Sequence, residues 1–188
     1  MDGIDLIPDA IERARENAEE LGLDIRYETM DVCELPPQGE PYDLIVDSYC
    51  TQGIVMDQDR DRMFRAIKCR LAKRGYLLLS CCVLEESRLD RGVTITDSAT
   101  GRIYVQFDTS DLFDLETETC YNRWRPREGL LDAVPEDYDG TVRINGEWYI
   151  HRRRYRTPAN LRKELERHGF EVLEQSGEVM ENAVCVHE

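Results

Sequence analysis

The spacing of apolar residues near the start of this chain follows a helical repeat between short runs of strand-forming residues. After Pro8, apolar positions recur at helical spacing and stop before Gly22: Ile11, Ala14, Ala18 and Leu21. Proline suits the first turn of a helix and glycine its end, so the pattern predicts a helix from Pro8 to Leu21. Residues 2–5, 25–30 and 42–48 predict strands around it. Strands and helices that alternate with short connections indicate a parallel sheet.

A second helix and a strongly apolar strand follow. Acidic residues crowd the first turn after Asp57, an apolar face continues to Leu71, and Lys73-Arg74-Gly75 is typical of a helix end. We therefore expect a helix over 57–72. The next run, Tyr76 to Val83, is apolar on both faces, as in a central strand that helices cover on each side.

Beyond residue 85 the pattern changes to antiparallel β-structure. Alternating runs at 93–96 and 103–107, and at 142–144 and 148–150 around Asn145-Gly146, predict hairpins. We expect an antiparallel insertion over residues 88–156, within a single domain of residues 1–188. Thr157 and Pro158 then begin a helix that ends at Gly169, and two strands, 170–175 and 182–187, close the chain. The expected fold class is α/β, with a doubly wound and mostly parallel sheet.

Composition limits the classes of molecule that this chain is expected to bind. The chain carries 39 acidic and 24 basic residues and a net charge of −15, which argues against a nucleic acid and favours a small molecule. No apolar stretch is long enough to cross a membrane and no secretion signal is evident, so we expect a cytoplasmic protein. The seven cysteines form no Cys-x-x-Cys pair, and neither a disulfide framework nor a metal site is indicated.

Two acids at predicted strand ends suit an adenosine. A carboxylate at Asp5 can accept hydrogen bonds from both hydroxyls of a ribose. Asp31 can accept from an exocyclic amino group, and Val32 offers an apolar wall for a purine. The alternative is that both acids are helix caps or turn residues, for which aspartate is a common choice. The strand end at Asp47 needs turn chemistry as well.

Several segments, in order, resemble the class I S-adenosylmethionine-dependent methyltransferases. They lie in residues 2–85 and 157–187: Gly-Ile-Asp5-Leu-Ile-Pro-Asp-Ala-Ile, Thr-Met-Asp31-Val-Cys-Glu-Leu-Pro, Tyr-Asp-Leu-Ile-Val-Asp47-Ser-Tyr, Leu-Ala-Lys-Arg-Gly75-Tyr-Leu-Leu-Leu-Ser, and the segment from Thr157 to Leu173. The resemblance implies a Rossmann-like sheet and S-adenosylmethionine as cofactor. It also implies cofactor-binding roles at these positions: Asp5, Leu6, Asp31, Val32, Asp47 and Ser48.

The same resemblance places the transfer site at the end of the predicted strand 42–48. Methyl transfer depends on alignment of nucleophile, methyl group and sulfur, and Asp47, Tyr49 and Gln52 are the candidates to line that site. The segment lacks the Asn/Asp-Pro-Pro-Tyr/Phe signature of the family's nucleic-acid and protein amino methyltransferases. We therefore expect a small-molecule acceptor. Cys50 has no evident basic partner and is expected to be inert.

The insertion is expected to cover the substrate. Its aromatic residues offer apolar walls: Trp124, Trp148, Tyr149 and Tyr155. The run His151-Arg-Arg-Arg-Tyr-Arg156 can receive an anionic group. The alternative is a solvated strand whose arginines pair with nearby acids, namely Asp132, Glu136, Asp137 and Asp139.

The sequence departs from the family in one respect. The family's first strand and its Gly-x-Gly-x-Gly turn have no counterpart in these 188 residues. Three explanations are open: an incomplete chain or misplaced start, a partner chain that supplies the missing piece, or a domain that has abandoned the cofactor. Two other functions stay open with them, a non-catalytic interaction module, which would be a homodimer, and a nicotinamide-dependent oxidoreductase.

Overall fold

The computed structural model describes residues 1–84, 86–107, 111–125, 139–177 and 180–186. Four helices are present in these ranges: α1 Pro8–Glu20, α2 Asp57–Arg70, α3 Glu86–Leu89 and α4 Pro158–Arg167. The strands are β1 Asp2–Asp5, β2 Arg26–Thr29, β3 Tyr42–Ser48, β4 Leu71–Cys82, β5 Val93–Thr96, β6 Ile103–Gln106, β7 Asp111–Asp114, β8 Thr119–Arg123, β9 Val142–Ile144, β10 Glu147–Arg154, β11 Glu171–Ser176 and β12 Met180–Val186.

The α/β part contains two separate sheets. Strands β1 and β2 form a parallel pair, and a second sheet has the order β11-β12-β4-β3. In that second sheet only β3 and β4 are parallel, because β12 runs antiparallel to both of its neighbours. The α/β class is confirmed, but the parallel content is lower than the mostly parallel sheet that the sequence predicts.

Among the described residues, β1 pairs only with β2 and β3 pairs only with β4. Exposed apolar side chains lie on both strands: Ile4 is 38% exposed, Leu44 50% and Val46 62%. A hydrogen bond of 2.6 Å from Tyr42 Oη to Asp2 Oδ2 joins the starts of the two strands. Each of the two sheets therefore ends in a strand with one unpaired edge.

The prediction for the end of α2 is wrong by two residues, and the physical reason lies in the backbone. The helix ends at Arg70 and Leu71 already pairs with Tyr42 in the sheet. Arg74 takes a left-handed φ of 64° within β4, and the pairing with β3 shifts its register there. The basic residues and the glycine that suggest a helix end thus form a bulge inside a strand.

One apolar core lies between α2, α4 and the four-stranded sheet. Its fully buried members come from all three: Met63, Phe64, Leu77, Leu79, Leu161, Leu165 and Cys185. The start of α4 is as predicted, since the Thr157 side chain accepts a hydrogen bond from the Asn160 amide and Pro158 follows it. Gly169, with a φ of 80°, follows the helix as expected.

The antiparallel region forms a six-stranded sheet of order β5-β6-β7-β8-β10-β9. Its first and last hairpins touch, because Asn145 Nδ2 donates to the Thr96 carbonyl at 3.2 Å and the Ser98 amide donates to Asn145 Oδ1 at 3.1 Å. The sheet therefore curls around its own core: Tyr104, Leu112, Tyr121, Ile144 and Tyr149. The predicted division into a domain and an inserted subdomain, residues 88–156, stays a prediction.

All seven cysteines carry free thiols, and three of them are buried: Cys81, Cys120 and Cys185. Within the described residues, no helix combines the length and apolar character that a bilayer crossing needs. The same ranges contain no cluster of histidine, cysteine and acidic side chains suited to a metal ion.

Candidate active site

Asp5, Asp31 and Asp47 lie at the carboxyl ends of β1, β2 and β3. The parallel pairing of β1 with β2 sets Asp5 opposite Thr29, two residues before Asp31, and Asp47 accepts a hydrogen bond from the Cys50 amide. Burial, and then the negative charges of Asp47, Asp5 and Asp31, raise the pKa of Cys50 to about 12. The acidic residues that the sequence selects therefore face one region. The raised pKa also makes Cys50 a poor nucleophile, as expected.

Asp5 and Asp31 each organise the backbone that follows them. Asp5 Oδ1 accepts a hydrogen bond of 2.8 Å from the Ile7 amide at the start of α1. Asp31 Oδ1 accepts one of 2.8 Å from the Cys33 amide and caps a 3-10 turn over Val32–Glu34. The alternative of turn and cap residues is therefore realised, with Asp5 as a turn residue before α1 and Asp31 as a cap. Capping by one oxygen does not preclude ligand binding, because no partner for the second oxygen of Asp5 is found among the described residues.

Asp47 is buried, and its carboxylate is occupied by its own loop. It accepts hydrogen bonds from the Cys50 amide at 2.8 Å and the Thr51 amide at 3.1 Å, and a further one from the Thr51 hydroxyl. This arrangement assigns Asp47 to holding the turn after β3. Its predicted contacts with cofactor and substrate stay predictions.

Tyr49 and Gln52 have opposite environments. Tyr49 is 40% exposed and takes a left-handed φ of 66° directly after β3. Gln52 is 4% exposed, and its Oε1 accepts a hydrogen bond of 2.6 Å from the Cys82 amide at the end of β4. The geometry thus makes Tyr49 available to a ligand and uses Gln52 to tie the loop to the sheet.

The other predicted cofactor residues also differ in exposure. Leu6 is 63% exposed and Ser48, the last residue of β3, is exposed as well. Val32 is half-buried and packs against the main core. Only part of the predicted set is therefore open to a ligand in the described structure.

Sequence reasoning missed the buried pair Arg60 and Glu164. Arg60 Nε and Nη2 donate to the two carboxylate oxygens of Glu164 at 2.7 and 2.8 Å, and both side chains are almost fully buried. A signal was present, since Arg60 occupies the helical stripe that continues through Phe64 and Ile67. Glu164 likewise lies between the buried Leu161 and Leu165. A charge in an apolar stripe indicates a paired charge in the core.

Two arginines of the 151–156 run pair within the protein, but not with the acids that the sequence suggests. Arg154 pairs with Asp57, and Arg156 pairs with Glu118 and Glu164. Of the expected partners, Asp132, Glu136 and Asp137 lie outside the described residues. Asp139 is described and makes no ion pair with the run. Packing between distant segments selects the partners, and closeness along the sequence does not predict it.

The predicted aromatic walls are divided between core and surface. Tyr149 belongs to the core of the six-stranded sheet and Tyr155 is half-buried. Trp124 and Trp148 line an open cleft of about 400 Å³ with Arg123, Arg125 and Glu147. A second cavity, of about 610 Å³, opens beside β1 and β2 and is lined by residues that include Ile4, Met30, Tyr42 and Arg70. None of the predicted catalytic or cofactor-binding residues lines it.

Comparisons with known proteins agree with this geometry. A family model described as "Methyltransferase domain" matches residues 1–75, which is less than half of the chain. No curated protein sequence matches the chain significantly. A solved S-adenosylmethionine-dependent methyltransferase from Clostridium acetobutylicum shares 15% identity at a TM-score of 0.62, over 99% of this chain and 74% of its own.

Two further solved structures agree with the first. The CcbJ methyltransferase from Streptomyces caelestis shares 14% identity at a TM-score of 0.63, over 100% of this chain and 74% of its own. The chain has the class I methyltransferase fold. The glycopeptide N-methyltransferase MtfA, solved with S-adenosyl-L-methionine, shares this methyltransferase fold at 15% identity and a TM-score of 0.57, over 100% of this chain and 77% of its own. The comparisons give no support to an oxidoreductase or to a non-catalytic module.

Proposed function

We propose that this chain is an S-adenosylmethionine-dependent methyltransferase that acts on a small-molecule acceptor. The observation that carries the proposal is the position of Asp5 and Asp31 at the carboxyl ends of β1 and β2, which pair in parallel with Asp5 opposite Thr29. Ligands of open α/β sheets bind outside this edge. The family match over residues 1–75 includes both acids and the whole of β3.

The residues present fit the adenosine part of the cofactor. Asp5 has one carboxylate oxygen that caps α1 and one that can accept from a ribose hydroxyl. Asp31 would accept from the adenine amino group beside Val32. When bound, the cofactor supplies an activated methyl group, and the protein contributes by alignment. Tyr49, exposed at the end of β3, is the residue best placed to contact an acceptor.

An anionic acceptor would suit the side chains that remain free of ion pairs. Arg152 and Arg153 make no ion pair within the described residues, and Arg125 is exposed beside Trp124. A guanidinium binds a carboxylate or phosphate through two parallel hydrogen bonds. Acidic side chains would repel an anionic acceptor from the rest of the protein surface.

We also propose that a glycine-rich segment, which these 188 residues do not contain, holds the methionine end of the cofactor. The strand pairing supports this, because β1 and β3 each have one unpaired edge among the described residues and belong to separate sheets. The chain extended upstream with such a segment should bind more tightly than the 188 residues alone.

Calorimetric titration with S-adenosylhomocysteine tests the main proposal. Both forms of the chain should be titrated, together with Asp5→Asn, which keeps the capping oxygen and removes the charge. We expect a loss of affinity of about tenfold, since a hydrogen bond to a charged group is replaced. Asp9→Asn, an exposed acid in the first turn of α1, is the matched control and should bind like the wild type.

Two outcomes would contradict the proposal. Neither form of the chain might respond to S-adenosylhomocysteine, in which case Asp5 and Asp31 are only caps. Alternatively, NAD titrated in parallel binds and S-adenosylhomocysteine does not, which would favour the oxidoreductase function.

A further inference from the structure

A single buried arginine of α2 binds the backbone of the loop that follows β3, residues 49–55. Arg60 Nη1 donates to the Thr51 carbonyl at 2.6 Å and to the Ile54 carbonyl at 2.7 Å. Arg60 is 1% exposed. One guanidinium therefore fixes both ends of the 3-10 turn at Thr51–Gly53.

A second arginine holds the same loop from the six-stranded sheet. Arg154, at the end of β10, donates through Nη1 to the Val55 carbonyl at 3.1 Å and pairs with Asp57 at the start of α2. Its Nε donates to the Thr117 carbonyl at 3.0 Å in the turn between β7 and β8. Arg154 is 6% exposed. The loop is thus bound to both parts of the molecule.

Arg60 is also connected to the six-stranded sheet through Glu164, Arg156 and Glu118. Glu164 of α4 binds Arg60 through both oxygens and also accepts from Arg156 Nε at 3.2 Å. Arg156 Nη1 in turn donates to Glu118 at 3.1 Å in the turn before β8. Glu118 accepts from the Asn160 side chain of α4 as well, at 2.8 Å. The contacts form a continuous chain from the β3 loop to the six-stranded sheet.

We propose that Arg60 and Arg154 are positioning residues, and that the seating of the six-stranded sheet sets the conformation of the loop over residues 49–55. The carbonyls of Thr51, Ile54 and Val55 accept hydrogen bonds from these arginines. A carbonyl that loses its donor in a buried place is costly, so the loop must move towards water when an arginine is lost. Binding at the six-stranded sheet would then be coupled to the geometry at the end of β3. The role of the loop in methyl transfer rests on the proposed function. The coupling between the six-stranded sheet and the loop over residues 49–55 does not depend on it.

Hydrogen exchange at the backbone amides of Cys50 and Thr51, followed by NMR, reports on this loop, because both amides donate to Asp47. The Leu21 amide, which donates to the Asn17 carbonyl at the end of α1, serves as an internal reference in the same sample. Arg154→Met removes the donor from β10, and Arg152→Met, an exposed arginine of the same strand, is the matched control. We expect the two loop amides to exchange about tenfold faster in Arg154→Met, because exchange follows the population of the open loop. Arg152→Met should match the wild type, and the exchange rate at Leu21 should not change.

Unchanged exchange at Cys50 and Thr51 in folded Arg154→Met would overturn the proposal, since Arg154 would then only fix the start of α2. Equal acceleration at the loop amides and at Leu21 would overturn it too, because it indicates general loosening. Arg154→Lys and Arg60→Lys keep the charge but cannot serve all the acceptors. They provide the same test if Arg154→Met does not fold, with the same contradictory outcomes. The assay uses no cofactor, so its failure is distinguishable from failure of the proposed function.

Discussion

Glu164 is a buried acid whose carboxylate binds two arginines. Burial alone would raise its pKa, but the hydrogen bonds and charge of Arg60, together with Arg156, outweigh burial and lower the pKa of Glu164 to about 2. Arg60 binds the Glu164 carboxylate through two hydrogen bonds, and Arg156 binds the same carboxylate. A buried carboxylate with this pairing must be ionised for the fold to persist.

The lowered pKa predicts acid sensitivity. A carboxylate whose pKa is lower in the folded state stabilises the fold above its unfolded pKa, and this stability is lost as the pH falls from about 5 to about 2. The shift from 4.5 to about 2 corresponds to about 3 kcal/mol. Urea unfolding across this range should show the loss. Glu164→Gln should be less stable at pH 7 and should lose less stability between pH 5 and 2.

Glu166→Gln is the matched control, because Glu166 lies on the same helix and is half-exposed in an ion pair with Arg162. It should follow the wild-type pH dependence. If Glu164→Gln is too unstable to study, NMR titration of the Glu164 carboxyl in the wild type gives the same information. A titration midpoint near 4.5 would contradict the role of Arg60.

Among the secondary-structure elements, the hairpin turns determine the shape of the six-stranded sheet. Asn145, with a φ of 48°, and Gly146, with a φ of 89°, form the tight turn that the sequence predicts between β9 and β10. The Asn145 side chain also binds Thr96 and Ser98 in the opposite hairpin. One residue therefore makes a turn and closes the curled sheet.

Substitution of Asn145 separates these two roles. Asn145→Gly keeps the left-handed backbone and the hydrogen bond from its amide to Asp97 Oδ1, and it loses the side-chain bonds to Thr96 and Ser98. We therefore expect a loss of about 1 kcal/mol in the free energy of unfolding. Asn145→Ala also strains the backbone and should lose about 1 kcal/mol more. Urea denaturation measures both. Equal stability of Asn145→Gly and wild type would show that the side-chain bonds between the hairpins contribute nothing.

The net charge of −15 acts on the molecule as a whole. Like charges on a compact protein repel one another, and salt screens this repulsion over about 10 Å at 0.1 M. The buried pair of Arg60 and Glu164 is screened much less than exposed charges. The chain should therefore gain stability as KCl is added.

We expect the thermal midpoint to rise by several degrees between 0.1 and 2 M KCl, a change of roughly 1 kcal/mol. Differential scanning calorimetry measures it. Sorbitol at equal osmolality is the control, because it is uncharged and tests for a general solute effect. A midpoint that falls with KCl would show that attractive ion pairs outweigh the net repulsion.

The sequence by itself determined most of the local structure. Strands 42–48, 93–96 and 142–144 have the predicted bounds, and Pro8, Gly22 and Thr157 mark helix ends as expected. These features depend on contacts within a few residues, such as a cap or a repeat of apolar positions. The selection of Asp5, Asp31 and Asp47 as a group also follows from strand ends, and in the structure Asp5 and Asp31 lie at the ends of paired parallel strands.

Only the tertiary structure decided what those residues do. It assigned Asp47 to its own turn and buried Gln52 against the end of β4. It ended α2 at Arg70, because Leu71 pairs with Tyr42, a residue distant in the chain. It also matched Arg60 with Glu164 across 104 positions. Partners of buried charges are chosen by packing between elements, and the spacing of residues along a chain contains no record of that choice.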